Sequence, residues 1–178
     1  MSDAISITLA GEPRGKGRPR FARATGRAFT PEATRSYEGA LRYAAHQAMA
    51  GRSLLDGPLT ARLRAVFSVP ASMSKGKREL ALAGILVPIK APDADNILKT
   101  LDALNNVVFR DDKQVVQATI SKFYGDQPAL HIEIEPFTPT PIPMAAVRSG
   151  CAGDGEAGLP VSPDLETGSP RLPVGAGT

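Results

Sequence analysis

Cysteine, histidine and aromatic residues are scarce in this chain. Of 178 residues one is cysteine, two are histidine and none is tryptophan. A lone thiol, Cys151, closes no internal disulfide, so a reducing, cytoplasmic setting is expected. Cys151 also stands away from His46 and His131, which makes it a poor candidate nucleophile. The two histidines are isolated in sequence, and each reads as structural. No charged leader precedes a long apolar run: Met1-Ser2-Asp3-Ala4 opens directly onto a strand-like segment. Neither a signal peptide nor a membrane span is therefore expected. Aromatics are 5% of a chain that is 42% hydrophobic, so a core is affordable but must be largely aliphatic. The length suits one domain.

What is present is basic. The formal charge is +3, but residues after Phe137 carry Arg148 and Arg171 against Asp154, Glu156, Asp164 and Glu166. That segment contributes −2, leaving about +5 for residues 1–137. A basic body suits a polyanionic partner such as nucleic acid.

Residues 5–9 alternate apolar and polar, the period of a half-buried strand. Gly11, Pro13, Gly15 and Gly17 then interrupt regular structure, among Arg14, Lys16, Arg18, Arg20, Arg23 and Arg27. This reads as an extended, mobile basic arm over 11–29. Thr30-Pro31-Glu32 predicts a helix start, with a hydroxyl N-cap and proline in the first helical position. Tyr37, Leu41, Ala44, Ala45 and Ala48 form its apolar stripe, and Gly51 ends it. A strand is predicted over 59–69, with Arg62 and Arg64 opposite its apolar face, and a short helix over 74–83 led by Lys75, Lys77 and Arg78. An acidic helix over 95–105 and strands over 115–124 and 129–134 complete the pattern. Strands at both ends with helices between predict one compact α+β domain, a small sheet packed with helices. From 138 to 178, proline and glycine interleave with small and acidic residues, a composition that predicts a disordered tail.

The chemistry concentrates at Pro92-Asp93-Ala94-Asp95-Asn96-Ile97-Leu98-Lys99 and Asp111-Asp112. On a helix, Asp95, Lys99 and Asp102 at i, i+4 and i+7 share one face, while Ile97, Leu98, Leu101 and Leu104 anchor the other. A turn after Asn105-Asn106 can return Asp111 and Asp112 to the helix start. Carboxylates are hard ligands for Mg2+ or Mn2+. Phosphodiester hydrolysis uses such ions, and Asp93, Asp95 and Asp112 supply the minimum set. Lys99 is placed to offset charge on a phosphate or to orient the nucleophile. Taken singly, each feature has a plainer account. Asp93 or Asp95 reads as an N-cap, Lys99 as half of a surface pair, and Asp111-Asp112 as a solvated turn. Their joint occurrence favours a metal-dependent nuclease. An EF-hand is excluded because Leu98 and Leu104 fall where its glycine and glutamate belong. The 11–17 segment lacks the spacing of a P-loop.

Asp93-Ala94-Asp95-Asn96-Ile97-Leu98-Lys99, Leu101-Asp102-Ala103-Leu104-Asn105 and Asp111-Asp112-Lys113-Gln114-Val115 together resemble the RusA family of Holliday junction resolvases, most closely its phage-borne branch. The arm leading into Tyr37-Glu38 and the Ser74–Arg78 stretch are similar too, and the likeness runs over 5–136. The resemblance implies that Asp93, Asp95 and Asp112 are the metal-binding catalytic acids and that Lys99 takes part in catalysis. It implies a homodimer that needs Mg2+ (Mn2+ as substitute), uses no organic cofactor and nicks two opposed strands of a four-way junction. Two equivalent scissile phosphates suit a two-fold dimer. Arg14, Lys16, Arg18, Arg20, Arg23 and Arg27 are expected to contact DNA phosphates, with Lys75, Lys77 and Arg78 extending the track. The alternatives are a general branched-DNA nuclease, a phosphohydrolase acting on small esters, and a junction-binding protein that does not cleave.

Overall fold

In the computed structural model the described residues are 4–17, 20–21 and 28–139. The 140–178 stretch, expected to be disordered, lies outside them, as do Arg18, Arg23 and Arg27.

The alternating segment forms β1, Ile5–Ala10, with Ile5 and Ile7 buried and Ser6 and Thr8 exposed. Two short strands, β2 (Arg20–Phe21) and β3 (Ala28–Phe29), pair as an antiparallel ribbon. Helix α1 follows over Glu32–Met49, burying Leu41, Ala45 and Met49 as the stripe requires. β4 spans Leu59–Ser68, α2 Lys75–Leu82, α3 Ala94–Leu98, β5 Val115–Gly125 and β6 Ala129–Pro136. The fold is α+β, as expected.

The four long strands form one mixed sheet in the order β1-β6-β4-β5. β6 runs antiparallel to both β1 and β4, whereas β4 and β5 are parallel. Parallel neighbours need a crossover, and it is this β4-to-β5 crossover that carries α2, α3 and the acidic motif. The next turn then passes over the end of β4, so β5 and β6, though consecutive, flank it rather than pair. Leu59, Leu63, Phe67, Leu130, Ile132 and Ile134 supply the buried face of the sheet, against Leu41 of α1, Ile97, Leu104 and Phe109. Arg62 and Arg64 project from the other face, where Arg62 pairs with Glu135 at 2.7 Å.

Three expectations need correction. Pro31, not Thr30, occupies the N-cap of α1, and no side chain caps it. The acidic helix is not one α-helix: α3 is five residues long and passes into a 3-10 segment, Lys99–Leu104. Buried Thr100 donates its hydroxyl to the Ile97 carbonyl at 2.6 Å, and Arg42 Nε donates to the Ala103 carbonyl at 3.2 Å. These bonds hold the tighter winding, which eclipses Asp102 over Lys99 instead of continuing the 3.6-residue period. The arm is not free where it is described. Pro13 is buried, Lys16 N–H donates to the Asn96 carbonyl at 2.8 Å, and Gly15 packs beside Asn96, so the arm at Gly15 and Lys16 lies against α3.

Candidate active site

Asp93 occupies the N-cap position of α3, yet its carboxylate accepts no capping hydrogen bond. The plain capping account of this residue therefore fails, and the residue lines the cleft instead. Asp95, in the first turn, takes a hydrogen bond from Lys99 Nζ at 2.9 Å across one helical turn. That bond holds the Asp95 carboxyl below its ordinary pKa. Asp93, Asp95, Asn96, Lys99 and Asp102 line one cleft together with Lys16 and Gly17 of the arm. Ile97, fully buried on the opposite side of α3, fixes how these side chains are presented.

Asp111 and Asp112 divide into two roles. Asp111 caps the 3-10 turn Asp112–Gln114: its side chain accepts from Lys113 N–H, at 3.1 Å, in a capping box with Gln114. Gln114 accepts from the N–H groups of Arg110 and Asp111 at 2.9 and 3.2 Å and donates to the Gly57 carbonyl at 3.1 Å. The plain turn account thus holds for Asp111, whose pKa is lowered by the Lys113 backbone and ammonium. The turn that carries Asp112 packs against the Lys99–Leu104 segment, near enough for Asp102 to act on the Asp112 carboxyl.

Asp102 therefore joins the two halves of the motif. Partial burial opposes its ionisation, but the hydrogen bond from Lys16 and the nearness of Asp112 outweigh this and lower its pKa. Asp112 shifts the other way, raised by the nearness of Asp102, by burial and by the charges of Asp102 and Asp111. The pair is best described as an ionised Asp102 against Lys16 and an Asp112 that resists ionising beside it. Lys16 Nζ makes a short hydrogen bond to Asp102 Oδ2 and lies 3.9 Å from Glu38 Oε1. The bond to Asp102 raises the Lys16 pKa against the effect of burial. Glu38 Oε1 is buried without a hydrogen-bond partner.

Hard oxygen donors crowded enough to push Asp112 up suit a divalent cation, which would relieve the repulsion. As the chain stands, no group of three or more acidic, histidine or cysteine side chains among the described residues is arranged to hold one. The donor chemistry fits; two lysines, Lys16 and Lys99, hold the carboxylates meanwhile.

The remaining cations are more scattered. Arg14 is exposed beside a shallow depression lined by Glu12 and Tyr37. Arg20 lies on β2. Lys75, Lys77 and Arg78 are exposed on α2, and Arg78 pairs with Asp126 at 3.1 Å. His131 Nδ1 and the Thr8 hydroxyl are hydrogen-bonded at 3.1 Å across the β1–β6 pair. Asp102 and Glu38 were not assigned to the site from sequence. The i+7 spacing of Asp102 from Asp95 was a signal; Glu38 offered none beyond its place in the resembling stretch.

Two comparisons with known proteins place the chain among relatives. The family model described as endodeoxyribonuclease RusA matches residues 10–135, which include every acid and lysine of the cleft. The chain is also similar to the uncharacterized protein YqaN of Bacillus subtilis (strain 168), at 35% identity over 137 residues, 74% of this chain and 96% of that one. No helix among the described residues is long and apolar enough to cross a membrane. With the RusA model covering β4, β5, nearly all of β6, the crossover and the acidic cleft, the chain belongs to the RusA family of endodeoxyribonucleases, hydrolases that cleave DNA.

Proposed function

We propose that the protein is a Mg2+-dependent endonuclease that resolves four-way DNA junctions, acting as a homodimer that nicks two opposed strands. The observation that carries this reading is the cleft shared by Asp93, Asp95, Lys99 and Asp102, with the Asp112 turn packed against the segment that bears Asp102. Acids distant in the chain thereby come near one another, beside Lys16 and Lys99.

Asp93, Asp95 and Asp112 would hold the cation, with Mn2+ able to substitute for Mg2+. Once bound, it supplies a polarised phosphate and a water of lowered pKa. Lys99, held one helical turn from Asp95, is placed to neutralise charge gathering on the phosphate as the bond to the leaving oxygen breaks. Asp111 and Gln114 keep the turn that presents Asp112, a positioning role. Lys75 and Lys77 on α2 contact flanking phosphates, which positions the duplex arms without reading sequence. Two protomers related by a two-fold axis present two such clefts to the two equivalent strands of a junction.

The test compares a labelled four-way junction with a linear duplex of the same sequence, each incubated with the full chain and Mg2+. Symmetric nicks in the junction and little cutting of the duplex support the reading. Equal cutting of both points to a general nuclease, and binding without nicks to a junction-binding protein.

A further inference from the structure

Lys16 is set apart from the other arm cations that are described. Arg14, two residues before it, is exposed, whereas the Lys16 ammonium turns inward onto Asp102 and towards Glu38. Its backbone is pinned as well, by the bond to the Asn96 carbonyl. The neighbours permit this close approach because they are glycines. A methyl on Gly15 would meet Asn96 Cβ at 2.8 Å, and one on Gly17 would meet Thr34 Oγ1 at 2.6 Å. A cation is thus carried by a tightly seated segment onto the carboxylate of Asp102, in the segment packed against the Asp112 turn.

We propose that Lys16 is the resident counter-ion of Asp102, that Asp102 joins the cation's ligands, and that a divalent cation enters this end of the cleft by displacing the Lys16 ammonium. An ammonium donates protons to carboxylate lone pairs, and a divalent cation draws on the same lone pairs. Both cannot use Asp102 Oδ2 at once. In the DNA-free protein Lys16 keeps the acids from repelling one another. The displaced ammonium, on a flexible four-carbon stem beside the cleft, is then free for a backbone phosphate. Cation entry and substrate contact become linked: DNA that takes up Lys16 raises affinity for the cation, and the cation raises affinity for DNA by the same factor. Lys16 is a positioning residue in this scheme, acting through the carboxylates.

The inference rests on the reading of the cleft as a cation site, so the experiment separates the two. Mn2+ binding to the DNA-free, full-length protein is measured by titration calorimetry for the wild type, Lys16→Met and Lys16→Gln. Removing the competitor should tighten Mn2+ binding about fivefold, the scale set by a half-exposed ion pair. Lys16→Gln keeps a polar end on a shorter stem and serves where Lys16→Met does not fold. Unchanged or weaker Mn2+ binding in a folded variant overturns the role of Lys16 while leaving the cation site standing. No Mn2+ binding by the wild type or by either variant overturns the cation site and the inference with it. In the wild type, the side-chain nitrogen resonance of Lys16 should move on adding Mg2+; a resonance indifferent to saturating Mg2+ counts against displacement.

Discussion

Gly15→Ala tests how firmly the arm is seated on the cleft. The added methyl would lie 2.8 Å from Asn96 Cβ, 3.0 Å from Pro92 Cβ and 3.2 Å from the Asn96 backbone carbon. None of these is the tip of a flexible side chain, so either the arm or α3 must shift. Moving α3 disturbs Ile97, which is fully buried, and overpacking of that kind costs about 1–3 kcal/mol. Lifting the arm forfeits the Lys16 N–H bond to Asn96, about 1 kcal/mol. It also forfeits the Lys16–Asp102 pair, worth at most about 1 kcal/mol because both side chains are a third or more exposed (35% and 40%). Lifting sets the upper bound on the cost, about 2 kcal/mol, which corresponds to a factor of roughly 30 in the closed-to-open ratio. Exchange of the Lys16 amide hydrogen, followed by NMR under native conditions, should therefore accelerate by up to about 30-fold. The urea-derived stability should fall by no more than about 2 kcal/mol. An amide that exchanges equally slowly in both proteins would refute the seating of the arm on α3.

Three further outcomes are expected. Gln114→Met removes acceptors for two backbone N–H groups and a donor to the Gly57 carbonyl, so it should cost about 1–3 kcal/mol in urea denaturation. It should also slow nicking, and a variant of wild-type stability and rate would show that the turn does not hold Asp112. Asp112→Asn should stabilise the protein slightly at neutral pH. The folded-state pKa of Asp112 is raised, so its charge opposes folding once the pH exceeds the unfolded value, and that penalty vanishes below it. The gain, below about 1 kcal/mol for so exposed a group, should shrink as pH falls through the carboxylate range; destabilisation at pH 7 would contradict it. Replacing Lys75 and Lys77 together by Ala should weaken junction binding and reduce the slope of log K against log salt by about 2, and an unchanged slope would remove α2 from the DNA contact.

Much of the fold could be read in the residues because it rests on short-period patterning. The period-two alternation of β1 and the five apolar positions of β4 have one buried face each, so register and facing followed directly. The stripe on α1 is equally explicit. What escaped was decided by contacts distant in sequence. The change from α to 3-10 winding at Lys99 depends on Thr100 and Arg42 bonding to backbone carbonyls, which no local propensity specifies. The strand order, with β6 rather than β5 beside β1, depends on which edges close the core. At the cleft, the acids of the motif were visible as a cluster, and Asp102 was visible on their face without a role. The inward turn of Lys16 was hidden because arginines and lysines of an arm look alike until one of them meets a carboxylate. Gly15 and Gly17, read as breaks in regular structure, are also the positions that let the chain come close.

The most direct measurement is nicking of a labelled four-way junction, with Mg2+, by the wild type and by Asp95→Asn side by side. The wild type should give paired nicks at symmetry-related phosphates, while Asp95→Asn should bind the junction at least as well and leave it whole. Cutting by Asp95→Asn at the wild-type rate, or a wild type that leaves the junction intact in Mg2+, would contradict the account.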